Sequence, residues 1–208
     1  MRAGVIDRSK PFHVIPNGVS VPSIARPRGT ARPIRFGYVG SIAPNKGVHV
    51  AVDAMRGLHG ASLHLWGDGS TFPDYAAGLA RRGDGAPIVF EGRFREQDRA
   101  QVFASMDVLL VPSIGLESFG LAAREALTCG VPVIASAGGA LSEMFAPGDG
   151  GEFFPAGDAD ALRSILRRLV EEPEIIDRWS SRIRTPKRAE EHAAEIERVY
   201  DAVLLGRQ

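Results

Sequence analysis

From Ile34 onward the chain alternates short runs of β-prone apolar residues with longer segments whose apolar residues recur at helical spacing. Few architectures accept that alternation, because a helix after each strand returns the chain to the same end of the sheet, making the strands parallel and covering them with helices. Ile34 to Gly40 reads as a buried strand, and Lys46 to Leu58 as a helix with Val48, Ala51, Val52, Met55 and Leu58 on one stripe. Ala61 to Trp66, Ile88 to Phe90, Val108 to Val111, Val131 to Ala135 and Glu152 to Phe154 supply further strands. Between and after them, Pro73 to Arg82, Glu96 to Met106, Phe119 to Thr128, Leu141 to Phe145, Asp158 to Glu171 and Pro186 to Leu205 read as helices. The expected fold is α/β, a Rossmann-like doubly wound parallel sheet of about six strands with flanking helices, whose ligands bind in loops beyond the carboxyl ends of the strands.

The 208 residues allow one domain of generous size, and the 24 glycines and 14 prolines fall between apolar runs, as connecting turns require. The start of the chain does not fit this unit. Pro11 to Pro16 looks like an extended strand, and Val21 to Pro33 like a linker rich in Pro, Arg and Ser. Residues 1–33 are therefore expected to be interdomain strand and linker, 34–185 the sheet domain, and 186–208 a terminal helix.

Balanced charge, 25 basic against 25 acidic residues, leaves no electrostatic footprint for nucleic acid or an anionic membrane. A single cysteine, Cys129, excludes an internal disulfide framework and a cysteine-based zinc site. No apolar stretch approaches the ~18 residues of a membrane helix, and no signal pattern opens the chain, so a soluble cytoplasmic protein is expected.

Two loops carry candidate chemistry. Gly40-Ser41-Ile42-Ala43-Pro44-Asn45-Lys46-Gly47 follows the first strand and opens a helix, where backbone amides attract anions and a lysine adds a compact charge for phosphate. Its glycine spacing is neither a Walker loop nor a GxGxxG turn, so neither nucleotide hydrolysis nor a nicotinamide cofactor is supported. The second loop runs from Val111 to Leu121 into Ala122-Ala123-Arg124-Glu125. Eight residues advance a helix by about 80° beyond whole turns, so Glu117 and Glu125 can converge if Glu117 lies in the loop. Ser118 is then a candidate N-cap, the amides of Phe119, Gly120 and Leu121 are placed for a diphosphate, and Glu125 reaches a ribose from the second turn. His13, His49, His59, His64 and His192 show no metal-ligand spacing, and no metal is implied.

The Glu117-Ser118-Phe119-Gly120 run with Glu125 resembles family four (group 1) of retaining glycosyltransferases. Further landmarks follow in order: Val14 to Val19, Gly40 to Gly47, Gly130 to Ala135, Gly138-Gly139 with Glu143, and Pro155 to Asp158. The resemblance implies one half of a GT-B fold, the C-terminal half that binds the donor. It implies that Glu125 binds the donor ribose, that Glu117 contacts the transferred sugar, and that the Ser118 to Leu121 loop with Gly40, Ser41 and Lys46 holds the diphosphate. The base is then expected near Gly67 and near Gly92-Arg93. Most members carry arginine where this chain has Ser41, which reduces the usual two-cation clamp to Lys46 unless Arg93 or another residue compensates.

By the same resemblance the donor is a UDP-, GDP- or ADP-sugar, with no further cofactor and no metal. The acceptor site belongs to an N-terminal domain that this chain lacks, supplied in cis or by a partner chain, so transfer by this chain alone is not expected. A noncatalytic nucleotide-sugar-binding module, or a subunit of a split glycosyltransferase, is the alternative.

Overall fold

The structure, a computed structural model, describes residues 13–21 and 33–205. Most of the expected Val21 to Pro33 linker, and the first two residues of the Pro11 to Pro16 segment, lie outside the described residues. The chain divides between Ser20 and Val21, and again between Pro186 and Lys187, into two compact units.

The larger unit is one six-stranded sheet: β1 (Ile34–Val39), β2 (Ala61–Trp66), β3 (Ile88–Gly92), β4 (Val108–Val111), β5 (Val133–Ser136) and β6 (Gly151–Phe154). Every pairing is parallel, in the order β3-β2-β1-β4-β5-β6. The chain thus winds outward from β1 to one edge, crosses back, and winds to the other, as expected of a doubly wound sheet. Helices α1 (Val48–Met55), α2 (Pro73–Arg82), α3 (Arg99–Ala104), α4 (Leu121–Thr128), α5 (Ala159–Glu171) and α6 (Glu174–Ser181) flank it.

Strands β4 and β5 are buried at every position, which explains their unbroken apolar sequence: a strand covered on both faces has no solvent side to make polar. Successive residues feed opposite cores. Leu110 joins Phe36, Leu63 and Ile134 against α1, α5 and α6, while Leu109 joins Val133 and Phe103 against α3 and α4.

Several expected boundaries shift for identifiable reasons. Residues Pro44–Lys46 form a separate 3-10 turn, and α1 starts only after Gly47, which takes the left-handed conformation. Residues Gly139–Glu143 form a 3-10 turn instead of the expected helix over Leu141 to Phe145. Helix α6 was not among the expected elements; Pro173 stands at its start, and Ile175, Ile176 and Trp179 are buried against the rest of the unit.

In the smaller unit His13 to Pro16 forms no strand ladder. Val19 makes an isolated parallel bridge to Arg188, its amide donating to Lys187 O at 3.0 Å and its carbonyl accepting from Ala189 N at 3.1 Å. Helix α7 (Ala189–Leu204) follows and buries none of its residues. Among the described residues no helix is long and apolar enough to cross a membrane.

Candidate functional site

The order reversal falls between β1 and β4, and the loops leaving those two strands are fastened to each other. Asn45 O accepts the amides of Ile114 at 3.0 Å and Gly115 at 3.1 Å, so the first loop lies against the fourth. Only glycine fits at position 47: its φ is +64°, and a Cβ there would stand 1.9 Å from Pro112 O. Behind this junction opens a cleft of about 310 Å³ whose walls include Tyr38, Gly40, Ser41, Lys46, Arg99, Ser113, Glu117, Leu121 and Glu125.

Glu117 lies in the loop before α4, where its Oε1 accepts from Lys46 Nζ at 2.7 Å and from Ser113 Oγ at 2.5 Å. Ser113 is itself anchored, because the buried Ser136 hydroxyl donates to its carbonyl at 2.6 Å. Burial opposes ionisation of Glu117, but the hydrogen bonds from Lys46 and Ser113 and the lysine charge outweigh it and hold the carboxyl below its usual range. Burial, then Tyr75 and Glu117, push the phenol of Tyr38, which also lines the cleft, upward, so it remains a donor and gives its hydrogen to Ser41 O at 2.7 Å.

Helix α4 starts two residues later than the sequence suggests. Gly120, with φ +72°, is its N-cap residue, so Ser118 does not cap it and Phe119 precedes it. The amides free of the helical ladder are consequently those of Leu121, Ala122 and Ala123, all three of which line the cleft. Phe119 instead offers its carbonyl to Arg124 Nε at 3.1 Å and its ring to the same guanidinium at 4.4 Å. Ser118 is exposed, and neither it nor Phe119 lines the cleft.

Glu125 projects from the second turn of α4 with its side chain 6% exposed, and its Oε1 accepts from Arg99 Nη1 at 2.5 Å. Arg99 also pairs with Glu96 through its other amino group. Burial raises the Glu125 carboxyl above its usual range, opposed by the Arg99 charge and hydrogen bond and reinforced by Glu96. Sequence reasoning missed Arg99 because its partner Glu125 lies 26 residues away; its spacing from Glu96 signals only the local ion pair.

A smaller recess of about 210 Å³ continues from the cleft, sharing Val39, Gly40, Ser41 and Phe94 with it and adding Trp66, Gly67, Asp68 and Arg93. Arg93 is largely exposed and lies 3.6 Å from Asp68. Gly92 stands behind the recess, its carbonyl accepting the Gly67 amide at 2.9 Å. The geometry thus assembles Gly40, Ser41, Lys46, Glu117, Gly120, Leu121 and Glu125 around one cleft, sets Gly67 and Arg93 in the adjoining recess, and leaves Ser118, Phe119 and Gly92 outside both.

Residues 33–172 match the family model described as glycosyl transferases group 1. The chain belongs to this family. Among group 1 relatives, a phosphatidyl-myo-inositol mannosyltransferase of Mycobacterium leprae is 32% identical over 203 residues, covering 91% of this chain and 53% of that protein. The sucrose-phosphate synthase of Thermosynechococcus elongatus is similar in structure, with a TM-score of 0.74 at 28% identity over 83% of this chain and 46% of that one. The Anabaena protein HepE, solved with UDP-glucose, superposes with a TM-score of 0.75 at 23% identity, over 81% of this chain and 49% of that one, and shares the fold. The chain spans about half the length of the relatives it matches. The fold expected from the alternation of elements is the one observed: a Rossmann-like sheet that matches one half of GT-B glycosyltransferases.

Proposed function

We propose that the cleft binds a nucleoside diphosphate sugar and that this chain is the donor-binding half of a metal-independent retaining glycosyltransferase. One observation carries this reading: at the sheet's order reversal, a lysine, two carboxylates and the start of a helix converge on the same cavity. The diphosphate lies across the amides of Leu121, Ala122 and Ala123, where the helix dipole and free N–H groups favour negative charge. Lys46 turns from Glu117 to the phosphates, and Glu117 is released toward the transferred sugar. Glu125 accepts the ribose hydroxyls, and the base extends into the recess of Gly67 and Arg93.

In the reaction the sugar leaves a diphosphate that gains charge as the bond breaks. The α4 amides are already in place to stabilise that charge and Lys46 joins them on turning from Glu117, and donors of this kind are the largest catalytic contribution the cleft can make. The acceptor attacks the face the diphosphate leaves, and its site belongs to an N-terminal domain, joined in cis or as a partner chain. The isolated chain binds donor without transferring sugar.

Calorimetric titration of the native chain, Lys46→Ala and Glu125→Ala with UDP-, GDP- and ADP-sugars tests the site. Each substitution removes a charged hydrogen bond of about 1.5–3 kcal/mol, so affinity falls about ten- to a hundredfold. Unchanged affinity in both variants refutes the assignment, and multiple turnovers by the chain alone on a simple acceptor refute the division of labour.

A further inference from the structure

We infer that Arg99 is a positioning residue for Glu125: its guanidinium, held on one side by Glu96, keeps the buried carboxylate ionised and fixes Oε1, leaving Oε2 to accept from a ligand hydroxyl. The inference rests on the reading of the cleft as a donor site and names a residue that the motif of paired glutamates does not contain.

The geometry demands a cation at this point. Glu125 is 6% exposed at its side chain, and an ionised carboxylate so far from water is unfavourable unless a charge or several donors compensate. The titratable and charged groups around it are few among the described residues. Arg99 opens α3 and Glu96 precedes that helix, Cys129 lies one turn further along α4, and Lys46, Glu117 and Tyr38 line the same cleft. Lys46 is hydrogen-bonded to Glu117 at 2.7 Å, and the helix start adds only a partial charge one turn away. Arg99, at 2.5 Å, is the full positive charge in contact with Glu125. Glu96 on the other amino group fixes the guanidinium, so both the charge and its direction are set before a ligand arrives.

A carboxylate accepts hydrogen bonds at both oxygens, whereas the neutral acid turns one of them into a donor. Without Arg99, proton uptake by Glu125 competes with a ribose diol for the same oxygens. Arg99 as a mere brace between α3 and α4 would predict weaker binding or lower stability by the same factor at every pH. The two roles separate on a pH profile.

The test uses the full chain as native protein, Arg99→Met, Arg99→Lys, Glu125→Gln and the Arg99→Met/Glu125→Gln double variant. Thermal unfolding between pH 5 and pH 8 needs no ligand. A carboxyl whose folded pKa lies above its unfolded one favours the fold while protonated, and that contribution is lost as pH rises. Arg99→Met therefore loses more stability than the native chain as pH rises, the extra loss disappears in the double variant, and Arg99→Lys behaves like native. Parallel profiles for native and Arg99→Met overturn the inference.

Titration with UDP-glucose and GDP-mannose, whose diphosphate diesters keep the same charge over this range, supplies the second arm. Affinity of Arg99→Met falls as pH drops from 8 to 5.5, by up to about tenfold per unit once a single group protonates, while the native chain changes less. A pH-independent loss overturns the inference. If neither probe binds the native chain, the donor-site reading falls, and the unfolding profiles still decide whether Arg99 sets the ionisation of Glu125.

Discussion

Replacing Gly47 by alanine tests how the cleft is assembled, and Gly57 provides an internal control. Both glycines are left-handed, with φ of +64° and +71°, so an alanine at either one meets the same backbone penalty of about 1–2 kcal/mol. The surroundings differ: nothing lies within 4 Å of a Cβ at position 57, whereas a Cβ at position 47 stands 1.9 Å from Pro112 O. Since Cβ contacts under 3.0 Å essentially do not occur, the two loops must part by about 1 Å. That displacement stretches the bonds from the Ile114 and Gly115 amides to Asn45 O, now 3.0 and 3.1 Å, beyond hydrogen-bonding range. At about 0.5–1.5 kcal/mol net for each bond, Gly47→Ala loses about 2–5 kcal/mol against about 1–2 for Gly57→Ala. Urea unfolding of the two variants measures the difference directly, and the gain from a stiffer unfolded chain cancels between them. Donor titration should follow the same division, because Lys46 moves with the first loop: affinity falls at least about tenfold in Gly47→Ala and stays native in Gly57→Ala. Equal destabilisation of the two variants, within about 0.5 kcal/mol, refutes the coupling of the loops.

Glu117 is held ionised despite burial by Lys46 and Ser113, so its stabilising contribution is present above the unfolded carboxylate range and is lost as pH falls through the depressed folded value. Unfolding of Glu117→Gln should accordingly vary less than native between pH 5 and pH 3, and equal slopes would exclude the network as a stabilising element. The Cys129 thiol is pushed up to about 11 by burial and by Glu125, so a small disulfide reagent at pH 8 should react no faster than the protein opens, and rapid labelling of the folded chain would contradict that. Leu162, fully buried against the sheet, should lose about 2–5 kcal/mol on replacement by alanine, read from the urea midpoint.

The identity of β4 was legible because burial on both faces writes itself as an uninterrupted apolar run, Val108 to Val111. Helix α2 was legible to the residue, with Pro73 at its first turn and basic residues at its end. The start of α4 was not, because Ser118 has the chemistry of a cap while the backbone conformation that begins the helix belongs to Gly120. Glu117 and Glu125 stand out by their neighbours in sequence. Arg99 reaches Glu125 across 26 residues, and a pairing made by the fold leaves no local trace. Helix α6 escaped for a related reason: its short amphipathic run follows directly on α5, with Pro173 as its only punctuation.

Strand β1 is registered with β2 along all six of its residues but with β4 at two, Phe36 with Val108 and Gly37 with Leu109. Above those rungs Tyr38, Val39, Leu110 and Val111 face the cleft. The two halves of the sheet are therefore joined by few rungs beneath the cleft, and a molecule that touches both Lys46 and Glu125 ties the turn after β1 to helix α4 across that parting. Occupancy of the cleft should thus slow hydrogen exchange at the upper ends of β1 and β4 before it does so anywhere along the outer strands, making the ligand a clasp between the two halves of the sheet.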